Sequence, residues 1–337
     1  MGPRRTHLVL LALLVLSAKA VFAEIPTASV DSDRDGLSDQ LEQALLTQFA
    51  PKFFVGRQDC AGLPAQFTTG LREPVPAAED GTIYGQVSPV KVAQGAKPLA
   101  EIHFYHLWDR DCGAHGHPLD TEHVAALVQA SSTDLASATW TALYWYAAAH
   151  EDTVCDVSQI ARASTVHAEN SGAQVWISPG KHASFLDEAL CSRGCGADRC
   201  ETMLPLHTSR IVNLGEVAHP MYGSVFIASN AWPLAEKMTH TNFSPAPLAR
   251  LNTLPDTDIA WYSPGKHPAQ GVIAVSYSTG EAIAGSGSDT DAAVSLAGDK
   301  TGNALQKSYR NTRHALGTSA RHVGEALHLT SKPDTRQ

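Results

Sequence analysis

The sequence predicts a mainly β protein: a β-sandwich with short peripheral helices, preceded by an acidic loop and one helix. Two observations lead to this prediction. Short apolar or alternating runs recur along the chain, and turns rich in Pro and Gly separate them. The chain has 337 residues, which is long enough to bury a core, and it shows no internal repeat.

The first 23 residues have the pattern of a signal peptide. Arg4 and Arg5 precede an apolar run at residues 8–16, and small residues lead up to Ala23. The apolar run is too short to cross a bilayer as a helix. We therefore expect a secreted or extracytoplasmic protein, periplasmic in a bacterium. The alternative is a membrane anchor that stays uncleaved.

The net charge of the chain limits the kinds of molecule that it is expected to bind. Without residues 1–23 the chain carries 22 basic and 34 acidic side chains, a net charge of −12. Such an acidic surface argues against nucleic acid as a partner and leaves carboxylates available for divalent cations.

The chain contains six cysteines, an even number in a protein expected to meet an oxidising compartment. We expect three disulfides, among about fifteen possible connectivities. A zinc knuckle at residues 191–200 is the alternative for the last three cysteines. The cysteines are Cys60, Cys112, Cys155, Cys191, Cys195 and Cys200.

An acidic stretch at residues 31–42, DSDRDGLSDQLE, has the spacing of a calcium loop. Carboxylates stand at loop positions one, three, five, nine and twelve, a Gly at six, and a backbone carbonyl is available at seven. The stretch resembles the loop of EF-hands, and we expect it to bind Ca²⁺. The alternative is an acidic helix cap without an ion. The expected ligands are Asp31, Asp33, Asp35, Leu37, Asp39 and Glu42.

A helix is predicted at residues 42–49, and Pro51 ends it. Its apolar side chains, among them Leu45 and Leu46, fall on one face. Residues 24–50 thus form a calcium loop plus helix in which the ion caps a helix that docks on the core, a structural role rather than that of a sensor.

Residues 51–278 are predicted to form the sandwich domain. Residues 51–99 read as edge strands and long loops, apart from one strand. Short helices are expected at residues 182–190 and 233–238. The predicted strands cover residues 82–87, 101–108, 123–130, 139–149, 173–178, 210–214, 223–228 and 271–277.

The composition changes after residue 278. Residues 279–299 are rich in Gly, Ser, Ala and Asp and are predicted to be a flexible linker. Residues 300–337 carry seven basic and two acidic side chains and form a basic amphipathic tail. Such a tail suits an anionic lipid surface, although it could equally rest on the acidic body of the protein itself.

The segment at residues 103–124 concentrates metal-type ligands between two apolar runs. If the strand at residue 123 starts a little earlier, Asp120 and Glu122 project to the same side. Together with Asp109 and His117 they could surround one hard cation, for which Ca²⁺, Mg²⁺ or Mn²⁺ is favoured over zinc. Two alternatives remain open. Asp111 rivals Asp109, and the acids and histidine could instead form a hydrogen-bonded network that fixes the loop.

Residues 116–122, GHPLDTE, resemble the GHRHDWE heptapeptide of the necrosis and ethylene-inducing proteins, and are also similar to the GDWEHV region of Vps62-related proteins. The resemblance covers about residues 100–185. Pro118, Leu119 and Thr121 depart from the heptapeptide, so cytolytic activity does not follow.

The resemblance implies a divalent ion at one end of a β-sandwich and recognition of sphingolipid head groups. It implies that His182, in the segment ISPGKHA, lines the same cleft. The positions that match the ion ligands are Asp109, His117, Asp120 and Glu122.

Three functions compete. The first is a secreted calcium-binding protein whose divalent-metal cleft recognises a polar lipid or glycan head group. The second is a metal-dependent hydrolase of a phosphoester or glycan-type substrate, in which His182 or His150 moves protons and Asp152 lies in the cleft. The third is a structural exported protein whose ions hold loops. The sequence does not decide whether the protein is an enzyme, because it contains no nucleophile elbow, P-loop or HExxH motif.

Overall fold

The computed structural model describes residues 30–71, 73–113, 116–195, 198–221 and 232–277. The predicted signal peptide, the strand at residues 223–228, the linker at 279–299 and the tail at 300–337 lie outside these residues.

The described residues form four α-helices and sixteen strands. The helices are α1 Asp39–Gln48, α2 Glu188–Arg193, α3 Pro233–Lys237 and α4 Pro245–Leu251. The strands are β1 Lys52–Gly56, β2 Gln66–Phe67, β3 Pro76–Ala78, β4 Thr82–Val90, β5 Leu99–Asp111, β6 His117–Ala130, β7 Trp140–Ala147, β8 Gln159–Arg162, β9 Gln174–Ile177, β10 Ser184–Phe185, β11 Met203–Pro205, β12 Arg210–Asn213, β13 Gly215–Glu216, β14 His219–Pro220, β15 Asp258–Trp261 and β16 Ile273–Ser276.

Two sheets make up the body of the protein. The larger has eight strands in the order β12-β4-β5-β6-β7-β8-β15-β16, and the smaller has four in the order β10-β9-β1-β11. Pairing is antiparallel except between β12 and β4 and between β1 and β9. Two further strand pairs, β2-β3 and β13-β14, lie outside these sheets.

One apolar core joins the two sheets. Phe53 and Val175 from the smaller sheet belong to the same buried cluster as Ile102, Phe104 and Trp145 from the larger sheet. Two sheets that share one core make a β-sandwich. The predicted fold class, mainly β with short peripheral helices, is confirmed.

Helix α1 packs on the larger sheet. Ser38 caps it, because the N–H of Leu41 donates to the Ser38 hydroxyl, so the helix begins three residues before the predicted start. Leu45 and Leu46 are buried as expected. A Cβ at Gly85 on β4 would overlap Leu46, so the glycine lets the helix approach the strand closely.

Most predicted strands are present, with different ends. The strand predicted at residues 123–130 starts at His117 instead, so the ligand-rich segment is mainly strand rather than loop. Two expectations were wrong. Strand β1 lies inside the smaller sheet rather than at an edge, and residues 184–185 form a strand where a helix was expected.

All six cysteines form disulfides, as expected for an oxidising compartment, and no zinc knuckle is formed. The pairs are Cys60–Cys112, Cys155–Cys195 and Cys191–Cys200. Among the described residues, no helix has the length and apolar character needed to cross a membrane.

Candidate functional site

The acidic loop before α1 gathers three carboxylates around one point. Oxygen atoms of Asp31, Asp33 and Asp35 lie within 4.8 Å of one another. Gly36 has a φ of 99°, a left-handed conformation that turns the chain. Its N–H donates to Asp31 Oδ2 at 3.1 Å and closes the turn. The acids predicted at loop positions one, three and five therefore meet at one centre.

Glu42, in the first turn of α1, adds a buried carboxylate to this centre. Its Oε2 accepts a hydrogen bond of 3.1 Å from the Asn213 amide, whereas its Oε1 has no hydrogen-bond partner among the described residues. Both carboxylate oxygens of Asp33 and one of Asp35 are also buried without a partner. Buried carboxylate oxygens are unfavourable unless hydrogen bonds or a cation satisfy them. Ca²⁺ prefers ligand sets made only of oxygen atoms, so the residues present fit that ion.

Crowding raises the pKa values of these acids. Burial, followed by the charges of Asp35 and Glu216, raises the pKa of Asp33 to about 7. Burial and the charge of Glu216 raise the pKa of Asp35 to about 6. Burial and the charge of Asp33 raise the pKa of Glu42 to about 8. A divalent cation would reverse these shifts, since it favours the ionised form of each acid.

The other two expected loop ligands behave differently. The Asp39 carboxylate accepts the Ser32 N–H at 2.7 Å and the Ser32 hydroxyl at 2.6 Å, and these bonds lower its pKa. Leu37 is expected to contribute its backbone carbonyl, and its side chain lies in the core. The structure thus brings the side chains of Asp31, Asp33 and Asp35 together, and Glu42 lies near enough for the charges of Asp33 and Asp35 to raise its pKa.

Two residues beside the loop were not foreseen from the sequence. Asn213, at the end of β12, holds Glu42, and Glu216 on β13 lies close enough to raise the pKa values of two loop acids. Glu216 in turn accepts a hydrogen bond of 2.6 Å from Ser88 on β4. Nothing local in the sequence connects residues so far apart along the chain.

The second cluster lies at the tip of the β5-β6 hairpin. Strand β6 pairs with β7 only from Val124 onward, and β5 pairs with β4 only as far as His106, so the tip extends past its neighbours. In the hairpin register Asp120 lies opposite Trp108, and Glu122 lies opposite His106. Asp120 and Glu122 therefore share one face of the hairpin, as the strand spacing predicted.

The other two expected metal ligands lie elsewhere. The Asp109 carboxylate pairs with Arg110 at 2.8 Å and lines a shallow surface depression with Pro118. His117 is half exposed, and its Nε2 lies 3.4 Å from Asp111 Oδ2. Neither of the two ligand groupings found among the described residues contains Asp109, His117, Asp120 or Glu122. The structure does not bring these four together.

His182 is fully buried between two carboxylates. Its Nδ1 lies 2.9 Å from Asp120 Oδ2, and its Nε2 lies 3.4 Å from Asp59 Oδ1. The ring stacks on Trp108 with centroids 3.9 Å apart. Burial acts to lower the pKa of His182, but its contacts with Asp120 and Asp59 outweigh burial and raise it to about 9. The imidazole is therefore charged at neutral pH and enclosed, which suits fixing the hairpin rather than proton transfer to a substrate.

Two lysines complete the cluster. Lys237 on α3 places its Nζ 3.0 Å from Glu122 Oε2, and Lys181 places its Nζ 2.5 Å from Asp111 Oδ2. Burial acts to lower the pKa of Lys237, but the charges of Glu122, Glu151 and others raise it overall. Both lysine side chains are thus held on carboxylates.

A divalent ion bound by the four expected ligands does not fit this arrangement. Asp120 faces the charged His182, Glu122 faces the charged Lys237, and Asp109 and His117 have partners of their own. Burial raises the pKa of Glu122 to about 7, although the charge of Lys237 opposes this shift. The carboxylates that a cation would bind thus already have protein partners.

His150 lies next to the cluster. Its Nε2 bonds to Asp198, and although burial opposes protonation, Asp198 and then Glu122 raise its pKa overall. His150 has a φ of 54°, an uncommon left-handed conformation for a residue other than Gly. Asp152 is exposed and also left-handed. Of the expected cleft and proton-transfer residues, His182 and His150 join the charged network, whereas Asp152 is exposed.

A separate polar cluster occupies the opposite face of the sheet. His103 and His123 are buried there with Tyr105 and Tyr146, ring against ring. Glu151 accepts a hydrogen bond of 2.6 Å from the Tyr146 hydroxyl. The His103 Nε2 lies 3.1 Å from Glu101 Oε1.

Sequence reasoning missed Asp59, Lys237 and Asp198 as members of the hairpin cluster. Each comes from a loop or short helix far from residues 103–124 in the chain. The one available signal was Cys60, since its disulfide with Cys112 carries the adjacent Asp59 to the hairpin tip.

No protein-family model matches the sequence, and no curated protein matches it. Similar solved structures include NLPPya in complex with mannosamine, with a TM-score of 0.34 and 13% identity over 61% of this chain and 86% of that one. NLPPya in complex with glucosamine has a TM-score of 0.35 and 13% identity over 56% of this chain and 80% of that one.

Another similar structure is necrosis and ethylene inducing protein 2 from the causal agent of cocoa's Witches Broom disease. Its TM-score is 0.32, with 16% identity over 62% of this chain and 93% of that one. These neighbours belong to the family that residues 116–122 resemble.

Proposed function

We propose that this protein is an exported calcium-binding β-sandwich in which the ion fixes α1 to the larger sheet. One observation supports this most: three loop carboxylates share a centre, Glu42 lies near enough to feel their charge, and several of these carboxylate oxygens are buried without a partner among the described residues. Ca²⁺ would satisfy those oxygens, and α1 would keep its apolar face in the core. The three disulfides support export.

Calorimetric titration of the chelated protein with Ca²⁺ tests this proposal. We expect one ion per chain, and we expect Glu42→Gln to weaken binding at least roughly tenfold, because a charged ligand contributes more than about 1.4 kcal/mol. Glu188→Gln is the matched control, since Glu188 is exposed in the first turn of α2 and distant from the loop in sequence. It should bind Ca²⁺ as the unmodified protein does.

The alternative of an acidic helix cap without an ion makes the opposite prediction. Absence of Ca²⁺ binding, together with a more stable Glu42→Gln protein, would contradict the calcium proposal, since that variant simply removes a buried charge.

A second function is favoured by the hairpin tip, where we propose that a polar lipid or glycan head group is recognised. Asp111, Lys181 and His150 place hydrogen-bond acceptors and donors side by side at this end of the sandwich. About a fifth of the Lys181 side chain is exposed, so it can reach a ligand. The resemblance of residues 116–122 agrees with this proposal, and the buried His182 argues against the hydrolase alternative.

Binding to liposomes of defined head groups and to immobilised glycans, with and without chelator, tests the second function. We expect Lys181→Ala to weaken binding by roughly tenfold, the effect of losing one charged contact. Lys97→Ala is the control, because Lys97 is exposed beside the opposite end of β5. Equal binding by both variants, or none to any surface, would refute head-group recognition at the tip.

A further inference from the structure

The hairpin tip holds an unusual density of opposite charges. Four carboxylates and three cationic side chains lie at this end of the sandwich. Each carboxylate lies within hydrogen-bond or ion-pair distance of one of the cations. The acids are Asp59, Asp111, Asp120 and Glu122, and the cations are Lys181, His182 and Lys237. None of the three cations belongs to the hairpin itself, so the fold delivers them to it.

Lys237 is held at this place by its neighbours. Trp232, Leu234 and Met238, on or beside α3, are buried in an apolar cluster with Tyr105 of β5. This anchorage presents the Lys237 ammonium to Glu122 with only 14% of its side chain exposed. An exposed lysine loses side-chain entropy when it forms an ion pair. Lys237 loses less, because the packing of α3 already restricts its position.

The charge balance of the tip depends on this lysine. Asp120 and Glu122 project from one strand face, and each faces one cation, His182 and Lys237 respectively. A divalent ion added to this set would place two further positive charges in a largely buried site, which is strongly unfavourable. Without Lys237, one carboxylate would stay buried and unpaired, and a cation from solution could take the ammonium position.

We propose that Lys237 is a built-in counter-ion of the Asp120 and Glu122 carboxylates, so that its ammonium excludes a divalent cation from the hairpin tip. This goes beyond the calcium loop and depends neither on that loop nor on the identity of any head group. It predicts that removing Lys237 creates a metal site that the unmodified protein lacks.

Manganese binding, counted by electron paramagnetic resonance, tests the proposal in five versions of the full chain, one of which is the single variant Glu122→Gln. We expect Lys237→Met to bind one more Mn²⁺ per chain than the unmodified protein, whatever the N-terminal loop binds. Lys237→Met/Glu122→Gln should lose that extra ion. Lys266→Met is the matched control, because the Lys266 Nζ also lies 3.0 Å from a buried carboxylate, Asp156 Oδ2, and this pair includes no residue of the hairpin cluster. It should bind no more Mn²⁺ than the unmodified protein.

Thermal unfolding gives a second readout. Millimolar Mn²⁺ should raise the Tm of Lys237→Met by roughly 5–10 °C more than that of the unmodified protein, and the double variant should gain nothing extra. If Lys237→Met does not fold in chelator, it should still refold in Mn²⁺.

Two results would overturn the proposal. One is that Lys237→Met binds no extra ion or stays unfolded in Mn²⁺. The other is that the unmodified protein already binds a divalent ion that Glu122→Gln removes.

Discussion

At the scale of single residues, His182 shows how burial and charge act against each other. Burial alone would keep its imidazole neutral, but Asp59 and Asp120 hold it protonated with a pKa of about 9. Its φ of 52° is left-handed, and the stacked Trp108 and the two acids keep it there. The side chain thus ties the hairpin tip to the loop that carries Asp59.

This residue should make stability depend on pH. Because the pKa of His182 is raised in the folded state from 6.5 to about 9, its contribution is complete below pH 6.5 and disappears as the pH rises through 9. The contribution should be on the order of 3 kcal/mol. Urea unfolding at pH 6 and pH 9.5 measures it, and His182→Gln should destabilise the protein far more at pH 6.

The matched control for this experiment is His167→Gln. His167 has the same left-handed φ of 52° but is exposed. It should change stability little at either pH, and an equal loss for His182→Gln at both pH values would contradict the assignment of charge to His182.

At the scale of elements, the calcium loop and α1 act as one unit. The loop acids crowd at the start of the helix, while Leu45 and Leu46 anchor its other face in the core. Asn213 joins this unit to the end of β12 through Glu42. The stability of α1 is therefore coupled to whatever neutralises the loop acids.

The stability of the chelated form should depend on pH far more than that of the calcium-loaded form. Without calcium, Asp33, Asp35 and Glu42 have pKa values raised to about 7, 6 and 8, so the folded state binds more protons and loses stability from pH 5 to pH 8. With calcium the acids are ionised, and this loss should vanish. The stability gained from calcium, measured by urea midpoints, should therefore grow with pH, and a constant gain would contradict the proposed ligands.

At the scale of the whole molecule, one core and three disulfides hold the sandwich together. The Cys60–Cys112 disulfide links the segment after β1 of the smaller sheet to the hairpin tip of the larger sheet. It therefore fixes the sheets to each other at the end where the charged cluster lies.

Removing disulfides should destabilise the protein according to the loop that each one closes. The Cys60–Cys112 bond spans 52 residues and the Cys191–Cys200 bond spans 9. Chain entropy predicts losses of about 4 and about 2.5 kcal/mol for the paired Cys→Ser variants. Urea unfolding compares them, and a larger loss for the short loop would show that native contacts outweigh chain entropy.

The pattern of apolar and acidic residues along the sequence made much of this fold predictable. Alternation located β5, apolar runs located β7 and the second half of β6, and the loop spacing located the acids around Gly36, because these signals lie within a few neighbouring residues. The charged cluster was only half predictable. Asp120 and Glu122 follow from strand spacing, whereas the partners of their carboxylates depend on which loops pack over the hairpin.

By itself the sequence determined the fold class, the number of disulfides and the shared face of Asp120 and Glu122, because these follow from local periodicity and composition. Only the tertiary structure decided the disulfide pairing, the burial of His182 between two acids, and the arrival of Lys237 at Glu122. Lys237 and Glu122, for example, lie more than a hundred positions apart in the chain. Local chemistry fixes where a carboxylate points, but packing between distant segments decides which cation meets it.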